Sequence, residues 1–262
     1  MGSGGLTDEQ RERFSRNILL PEVGAAGQRK LLDAGALVVG AGGLGSAALL
    51  YLAAAGIGRI GIADGDRVEP SNLNRQVLHG AADVGRPKVE SAREAVLAIN
   101  PACRAEVIGR RLTSANVRRT VRGWDVVVDA TDNFPTRFRV SDACWLEGVP
   151  LVSAGVLGFR GQLLTVHPAR GSPCYRCLVP GPQEALSAAS SAQAGVLGAA
   201  AGTLGAIQAV EAIKVLLGIG TGFEKRLLVY NGLEGTFRVI GRAKDPACAL
   251  CGPGASITDV TD

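Results

Sequence analysis

A glycine-rich segment near residue 40 has the composition of a turn that holds phosphate groups. It reads Gly40-Ala-Gly42-Gly43-Leu-Gly45 after an apolar run, and Asp64 ends the next apolar run nineteen residues further on. Glycines let the backbone approach a phosphate, the amides of a following helix point at the anion, and a carboxylate accepts hydrogen bonds from ribose hydroxyls. The segment therefore predicts a nucleotide site. A purely structural glycine turn is the alternative, and the motif alone does not separate NAD from ATP.

The side chains that follow this carboxylate favour ATP over NAD. Asn72, Arg75 and Gln76 lie in the segment 71–76, and Lys88 stands twelve residues after Gln76 at the start of a predicted helix. A triphosphate carries about four negative charges and calls for Arg and Lys beside it, whereas the pyrophosphate of NAD needs few cations. The two cations and the amide side chains therefore predict a triphosphate site.

A second carboxylate, Asp132, follows the apolar run 125–129. Ligands of open α/β sheets bind at the carboxyl ends of the strands, which is where this residue is predicted to lie. Mg²⁺ commonly takes one or two protein carboxylates together with phosphate oxygens. Asp132 is therefore a candidate Mg²⁺ ligand, and its alternative role is to cap the helix that begins near Phe134.

Four of the six cysteines form two pairs of identical spacing. Cys174 and Cys177 make one pair, and Cys248 and Cys251 make the other after an interval of seventy residues. Four thiolates in a tetrahedron form a closed structural zinc site with no open position for chemistry. We predict such a site, which would tie the C-terminal strands to the sheet. Redox pairs and an iron–sulfur cluster are the alternatives.

The other cysteines and both histidines are assigned to structure. Cys103 and Cys144 fall in or beside apolar strand and helix segments, where small buried hydrophobic residues are expected. His79 and His167 have no third partner that the sequence reveals. None of the four is predicted to take part in catalysis.

Strands and helices must alternate to position these residues. Short apolar runs followed by helical patterns predict a parallel, doubly wound, Rossmann-like α/β sheet. Past residue 155 the pattern changes, and the later strands predict a C-terminal antiparallel extension tied by the zinc site. The predicted strands are 36–40, 59–64, 104–108, 125–129, 149–153, 162–166, 226–230 and 236–240, and the predicted helices are 7–20, 43–56, 88–99, 114–121, 134–147 and 199–217.

The composition excludes several classes of protein. The 262 residues are 47% apolar and 20% charged, which excludes global disorder, and the net charge of +4 makes no electrostatic case for nucleic acid or membrane binding. Residues 1–14 lack the apolar core of a secretory signal, and the apolar stretch 194–207 is shorter than the roughly twenty residues that cross a bilayer. We expect a cytoplasmic protein without a membrane partner, whose reduced cysteines favour metal over disulfides.

In their order, these motifs resemble the ThiF/MoeB/HesA family, the bacterial relatives of ubiquitin-activating enzymes. The resemblance extends from Arg13 to Cys251, and so many motifs in the same order are hard to obtain by chance. The shared motifs are the glycine turn, Asp64, the segment 71–76, Lys88, the segment 129–133 and both cysteine pairs.

The resemblance implies one adenylation domain over residues 1–262. N-terminal helices would occupy residues 1–34, and the nucleotide-binding part residues 35–155. Residues 156–262 would form the zinc-tied part that binds the protein substrate. A mobile loop is expected there at about 178–194, because that stretch is rich in Ala and Ser and has no periodicity.

The resemblance also implies a role for each polar residue of the nucleotide motifs. Asp64 would hold the ribose of ATP, and Asp132 would hold Mg²⁺. Asn72, Arg75 and Lys88 would hold the phosphates. The complete implied ATP site comprises Gly40, Gly42, Gly43, Gly45, Asp64, Asn72, Arg75, Gln76, Lys88 and Asp132.

Arg16 matches a family arginine that reaches the triphosphate of the neighbouring subunit, which implies a homodimer with a shared site. From the sequence alone, Arg16 would be an ordinary exposed helix residue. The substrate of the family is the C-terminal Gly-Gly of a small ubiquitin-fold sulfur carrier, whose carboxylate attacks the α-phosphate, releases pyrophosphate and leaves an acyl-adenylate. The implied catalytic residues are Arg16, Arg75, Lys88 and Asp132, which would act by positioning and charge neutralisation.

One position departs from the family pattern. Many members have Cys-x-x-Ala-Gly-Val where this chain has Ser191-Ala-Gln-Ala194-Gly195-Val196. A serine hydroxyl without an adjacent base is a poor substitute for the thiol that can link to the carrier. We therefore expect adenylation without covalent transfer on this chain, and a separate sulfur donor.

Three other functions are weaker alternatives. An adenylating tRNA dehydratase of the same superfamily would bind RNA through the arginines at 110–111 and 118–122, but the paired cysteines and the modest charge argue against it. A pseudoenzyme that binds nucleotide without turnover is disfavoured because the phosphate-site residues of the family pattern are present. An NAD oxidoreductase has no use for Arg75, Lys88 and Asp132. The sequence does not identify which carrier or pathway the enzyme would serve.

Overall fold

One eight-stranded sheet runs through the molecule in a computed structural model that describes residues 5–179 and 195–261. Helices alternate with the first five strands. Short turns join the fifth strand to the sixth and the seventh to the eighth, and a long connection that includes a helix joins the sixth to the seventh. The strands are β1 (Gly35–Val39), β2 (Arg59–Ala63), β3 (Arg104–Ile108), β4 (Val126–Asp129), β5 (Leu151–Leu157), β6 (Arg160–Val166), β7 (Arg226–Asn231) and β8 (Thr236–Gly241).

The strand order is β3-β2-β1-β4-β5-β6-β7-β8. Neighbours from β3 to β5 pair in parallel, and the pairs β5–β6, β6–β7 and β7–β8 are antiparallel. Strands β2 and β3 lie on one side of β1, and β4 and β5 lie on the other side. The strand order therefore reverses between β1 and β4, and in such sheets ligands bind in the crevice at this switch point. The predicted doubly wound sheet with an antiparallel C-terminal extension is confirmed.

Helices cover both faces of the parallel strands, so these strands are apolar on both sides. In β1 the side chain of Val38 packs into one core and that of Leu37 into the other, and the strand is buried throughout. The helices are α1 (Asp8–Arg13), α2 (Ser15–Ile18), α3 (Gly24–Asp33), α4 (Gly43–Ala54), α5 (Lys88–Ile99), α6 (Ser114–Val121), α7 (Phe134–Glu147) and α8 (Gly198–Leu217).

The N-terminal helix predicted at 7–20 is two helices in the structure. Its first part is a capped helix, because the Thr7 hydroxyl accepts a hydrogen bond from the Gln10 backbone N–H and Gln10 Oε1 accepts one from the Thr7 backbone N–H. Helix α1 ends at Arg13, and Phe14, whose ring is buried, separates it from α2. Burial of the Phe14 ring bends the chain onto the core at a point that the polar sequence pattern did not reveal.

Helix α8 is longer than the apolar stretch 194–207 with which it overlaps in the sequence. Its 20 residues and high hydropathy meet the length and composition of a membrane-crossing helix, but half of that window is buried inside the protein. The helix packs against α4, β5 and β6. Its polar residues have partners in the core, since Gln208 donates to the carbonyl oxygens of Asp129 and Val152. The helix predicted at 199–217 is confirmed.

The sheet is continuous across the parts predicted at 35–155 and 156–262, and the change from parallel to antiparallel pairing falls between β5 and β6. The boundaries between these parts stay a prediction. The loop expected to be mobile at about 178–194 lies, apart from residues 178 and 179, outside the described residues, as does Ser191.

Candidate nucleotide site and metal centre

The nucleotide motifs meet at one edge of the sheet because the strands that precede them are parallel. The backbone N–H of Gly40, just past β1, donates to Ala63 at the end of β2 at 2.8 Å. The N–H of Ala130, just past β4, donates to Val39 at the end of β1 at 2.9 Å. The glycine turn, Asp64 and the segment leading to Asp132 therefore leave the sheet side by side.

Three glycines of the turn lack a side chain for different steric reasons. Gly40 has φ +96°, and a Cβ there would lie 2.8 Å from the Ala130 carbonyl oxygen. A Cβ on Gly45 would lie 1.9 Å from the Gly40 carbonyl oxygen, so this position closes the turn onto itself. Gly42 is different, because it is the N-cap of α4 and has open space beside it. The nearest atom that a Cβ on Gly42 would meet is Gln76 Nε2, at 3.8 Å. The open side of Gly42 is a place where a phosphate can meet the helix amides.

Asp64 joins the end of β2 to the glycine turn. Its Oδ2 accepts a hydrogen bond from the Ala41 backbone at 2.8 Å, and its Oδ1 accepts one from the Asp66 backbone at 2.8 Å. An ionised carboxylate has about four lone-pair positions, so acceptor capacity remains for ribose hydroxyls. The carboxylate is also positioned by the loop that it would serve.

The segment 71–76 runs between the starts of α4 and α8. A Cβ on Gly43 would lie 3.4 Å from the Arg75 carbonyl oxygen, and one on Gly198 would lie 3.0 Å from Arg75 Cα. The Arg75 guanidinium donates to the Ser71 carbonyl at 2.8 Å and to Asn74 Oδ1 at 3.0 Å, and no carboxylate of residues 5–179 or 195–261 forms a salt bridge with it. Its charge is therefore available to an anion at the turn.

Two of the three side-chain amides of this segment, those of Asn72 and Gln76, are buried. Asn72 Oδ1 accepts a hydrogen bond from the Glu69 backbone at 3.1 Å, while Asn72 Nδ2 has only a 3.5 Å contact with Ser71 Oγ. Part of the Asn72 side chain thus has a structural role, and its Nδ2 donor is the part that could serve a phosphate. Gln76 faces Gly42 across the turn.

Lys88 is buried at the first position of α5, with Asp66 as its counter-ion. Its Nζ lies 3.4 Å from Asp66 Oδ2, and its backbone N–H donates to the Asp66 carbonyl at 3.0 Å. The Asp66 carboxylate is half exposed and also lies 3.4 Å from Arg111 Nη2. The sequence contained Asp66 beside Asp64, but nothing in its spacing revealed that it would face Lys88.

Asp132 is exposed and does not cap α7. The cap is Asn133, whose Oδ1 accepts a hydrogen bond from the Thr136 backbone at 3.0 Å. Asn133 Nδ2 approaches the Asp132 carboxylate at 3.4 Å. The alternative role as a helix cap is therefore wrong, and the carboxylate is free to face a ligand at the edge of the sheet.

Arg16 is the predicted site residue that this chain does not bring to the others. It is exposed on α2, and the neighbouring Asn17 contacts the Ala55 carbonyl at the C-terminal end of α4. The glycine turn lies at the opposite end of α4, whose 12 residues span about 18 Å at 1.5 Å per residue. An arginine side chain is too short to cover that distance.

Four sulfur atoms meet where the two cysteine pairs come together. The Sγ of Cys174 lies 3.5 Å from that of Cys248 and 3.9 Å from that of Cys177, and Cys177 Sγ lies 3.3 Å from Cys251 Sγ. All four sulfurs are within 4.8 Å of one another. Ligands at 2.3 Å around a tetrahedral Zn²⁺ ion would be about 3.8 Å apart, so the cluster fits that ion.

The surroundings of the cluster suit a negative centre. The Asp245 backbone N–H donates to Cys177 Sγ at 3.4 Å. Arg242 is partly buried beside these cysteines, where burial lowers the pKa of its guanidinium and negative charge on Cys177 and Cys174 would raise it. Four thiolates around Zn²⁺ carry a net charge of about −2, which an arginine at this position would offset.

The residues assigned to structure occupy structural positions. Burial raises the pKa of Cys103 to about 11, and Cys144 is fully buried. The His79 ring is hydrogen-bonded to Ser91 Oγ at 2.9 Å and to the Ala41 carbonyl at 3.0 Å, so it supports the glycine turn from beneath. Its burial lowers the pKa of the ring. The basic residues Arg118 and Arg122 both bind Glu147.

The whole arrangement agrees with the comparison with known proteins. The ThiF family model matches residues 14–250, and the chain belongs to the ThiF family. It is 46% identical over 261 residues to the sulfur carrier protein adenylyltransferase of Thermus thermophilus, covering 98% of this chain and 96% of that one. It is 47% identical to the SAMP-activating enzyme E1 of Haloferax volcanii, covering 97% and 94%.

Longer relatives and distant structures match as well. The chain is 49% identical to the adenylyltransferase and sulfurtransferase MOCS3 of Bos taurus, of which it spans 56% of the length. The crystal structure of E. coli MccB with ATP has the same fold, with a TM-score of 0.81 at 23% identity, covering 94% of this chain and 77% of that one.

Proposed function

We propose that this chain uses ATP to adenylate the C-terminal Gly-Gly carboxylate of a small ubiquitin-fold sulfur-carrier protein, releasing pyrophosphate. The observation that carries the proposal is the open N-terminus of α4 at Gly42, with Asp64 bound to the same turn. The chain is 46% identical, over almost all of its length, to an enzyme named for this activity. The acyl-adenylate then serves later thiocarboxylation.

The reaction needs positive charge and positioning more than proton transfer. A carboxylate is already ionised at neutral pH, so its attack on the α-phosphorus requires no general base, and pyrophosphate leaves as an anion. Lys88 lies at the start of α5, and the backbone of Arg75 lies beside Gly43; the charges of both side chains would offset those of the phosphates. Asn72 Nδ2 adds a neutral donor, and the Asp64 carboxylate receives the ribose hydroxyls.

A divalent cation fits at Asp132. The carboxylate is exposed two residues after Ala130, whose carbonyl packs against Gly40, and the cap of α7 is Asn133. Asp132 would hold Mg²⁺, which would offset the negative charge of the phosphates. The residues of this chain that would hold the nucleotide around it are Gly42, Asp64, Asn72, Arg75 and Lys88.

Arg16 acts in trans in a homodimer. Its place near the C-terminal end of α4 puts it about one helix length from the glycine turn of its own chain, as the contact between Asn17 and Ala55 requires. It is exposed, and no salt bridge within the described residues occupies it. A second copy that presents Arg16 to this turn would complete the set of cations around the triphosphate.

The four cysteines hold Zn²⁺ in a structural role. Tetrahedral coordination by four thiolates leaves no position for substrate, so the ion would join the end of the chain to the segment after β6. The six free thiols fit a reducing, cytoplasmic location. Ser191 lacks the thiol of many relatives, and sulfur would therefore come from a separate donor.

Pyrophosphate exchange with a Gly-Gly-ended carrier tests this function. Asp132→Ala should nearly abolish carrier-dependent exchange because the cation loses its protein carboxylate. Asp33→Ala is the matched control, since Asp33 is an exposed carboxylate on α3 that pairs with Arg29. Circular dichroism and thermal melting of both variants should equal those of the wild-type protein. Near-normal exchange in Asp132→Ala would contradict the proposed cation site, and absence of exchange in the wild type with every such carrier of the host would contradict the activity.

A further inference from the structure

Asp132 lies between two residues that are both anchored. Before it, the backbone N–H and the hydroxyl of Thr131 donate to Asp129 Oδ1 at 3.0 Å and 2.6 Å. After it, Asn133 caps α7. The opposite oxygen of the Asp129 carboxylate accepts from Ser153 Oγ at 2.7 Å. The position of the exposed Asp132 carboxylate is therefore set by buried groups beneath it.

Arg137 closes this buried network. It lies one turn into α7, and its Nη2 donates to the Thr131 carbonyl at 2.6 Å and to the Ala154 carbonyl at 2.9 Å. Its Nε lies 3.3 Å from Asp129 Oδ2. Burial opposes the charge of this guanidinium, but the Asp129 carboxylate overcomes that effect and holds the pKa of Arg137 above its ordinary value. One side chain thus ties the peptide before Asp132 to β5.

The segment between Cys174 and Cys177 packs against α7, the helix that contains Arg137. The buried Tyr175 ring meets Phe138 edge-on with 5.4 Å between centroids, and Tyr175 and Arg137 line the same cavity of about 10 Å³. Arg176 donates to both oxygens of Asp142 on α7 at 2.7–3.1 Å. The helix that follows Asp132 is thereby clamped to the cysteine cluster.

We propose that Arg137 is a positioning residue that holds Asp132 in place for the divalent cation. This inference rests on the proposed function, because the role of Asp132 as a cation ligand comes from there. Arg137 is buried, so in this proposal it acts through its neighbours and not by contact with the nucleotide or the cation. It acts by fixing the Thr131 carbonyl and the start of α7, while the Cys174–Cys177 segment keeps α7 from moving away.

Gly155 offers a way to displace the guanidinium without deleting it. A Cβ at this position of β5 would lie 2.8 Å from Arg137 Nη1, so Gly155→Ala must push that group away. Gly241 is the matched control, because it is also a strand glycine with an ordinary φ and has nothing within 4 Å of an added Cβ. Arg137→Lys is the second variant, because a single ammonium nitrogen cannot take both the place of Nη2 between the two carbonyls and the place of Nε beside Asp129.

The test measures Mn²⁺ binding to the full chain with a non-hydrolysable ATP analogue, by the electron paramagnetic resonance signal of free Mn²⁺. Loss of an outer partner of a metal ligand costs about tenfold or more in affinity, so we expect about that loss for Gly155→Ala and Arg137→Lys and none for Gly241→Ala. Circular dichroism confirms folding of each variant. The Mg²⁺ concentration for half-maximal pyrophosphate exchange should rise in the same two variants.

A double-mutant cycle separates positioning from general loosening. In an Asp132→Asn background, Gly155→Ala should cause no further loss of Mn²⁺ affinity, because the carboxylate that it displaces is gone. Wild-type affinity in both Gly155→Ala and Arg137→Lys, or an undiminished loss in the Asp132→Asn background, would overturn the inference. Wild-type affinity in Asp132→Asn alone would instead overturn the proposed cation site itself, so the two failures are distinguishable.

Discussion

The parallel half of the sheet and its antiparallel extension are held together by different means. Strand β1 is buried along its whole length, with helices on both faces, whereas β8 at the far edge leaves Phe237, Val239 and Ile240 each 52% exposed. Apolar burial therefore stabilises the edge of the proposed nucleotide site, while the extension buries less surface and, in the proposed function, depends on a metal held by the four-sulfur cluster. Two regions of one sheet thus respond to different perturbations.

Breaking the cysteine cluster should have the largest effect, because structural Zn²⁺ contributes about 10–16 kcal/mol in small zinc domains. Cys248→Ser should lower the bound zinc content and speed amide hydrogen exchange in β7 and β8, while exchange in β1 stays slow. Cys103→Ala is the control, since Cys103 is buried away from the cluster. Equal acceleration in β1 and β8, measured by mass spectrometry, would show that the two halves do not differ in this way.

Removing the buried cation at the nucleotide edge should affect catalysis and not folding. Lys88→Met keeps the apolar stem and deletes the charge, and its counter-ion Asp66 is half exposed and can be solvated. We expect the rate of pyrophosphate exchange to fall about 10²–10³-fold, as for loss of one preorganised charge or donor. The midpoint of urea unfolding should stay within error of the wild type. Lys225→Met, in the extension, is a comparison that should leave the rate unchanged.

Two glycines of the same turn should separate stability from ligand binding. Gly45→Ala places a Cβ 1.9 Å from a backbone oxygen and should lower the free energy of unfolding by about 1–3 kcal/mol. Gly42→Ala meets no atom closer than 3.8 Å, so it should leave stability unchanged and weaken binding of an ATP analogue. Urea unfolding and calorimetric titration measure the two quantities. Similar losses of stability in both variants would contradict the open space assigned to Gly42.

The smallest effect should appear as pH dependence. Burial lowers the pKa of His79 in the folded chain, so the unfolded chain, with an ordinary value of about 6.5, binds the proton first as the pH falls. Stability contributed by the neutral ring is therefore present above that pH and is lost as the pH decreases through it. His79→Gln should flatten the decline in unfolding free energy between pH 7.5 and 5.5. An unchanged slope would assign the decline to other groups, such as His167, whose pKa burial also lowers.

The sequence predicted the parallel half well because its signals are local. Each of Gly40, Asp64 and Asp132 follows a short apolar run, and the parallel direction of those runs is enough to bring them to one edge. The meeting of the two cysteine pairs was predictable because two pairs of the same Cys-x-x-Cys spacing are typical of four-thiolate metal sites. The division of the N-terminal helix at Phe14 was not, because burial of a single ring is a tertiary effect.

The residues that sequence reasoning missed act across long separations. Asp66 faces Lys88 because a loop folds back onto α5, and Arg137 reaches Thr131 and Ala154 from inside a helix that reads as ordinary. An arginine in a helix is usually solvated, so its type carries no signal. The position of Asn133 one residue after Asp132 did contain a signal, since either side chain could cap α7 and only the geometry decides between them.

The contact between Lys88 and Asp66 has a consequence for how a nucleotide enters and leaves. Without a phosphate, the buried ammonium already has an anionic neighbour, so the site is not a bare positive cavity that waits for charge. If Lys88 holds phosphate as proposed, an arriving phosphate would displace the Asp66 carboxylate, which is half exposed and can turn into water. When the phosphate leaves, Asp66 would pair with Lys88 again. The contribution of Lys88 to nucleotide affinity would then be the difference between its interaction with the phosphate and its interaction with Asp66. A small difference favours rapid exchange of product for substrate over tight binding of either.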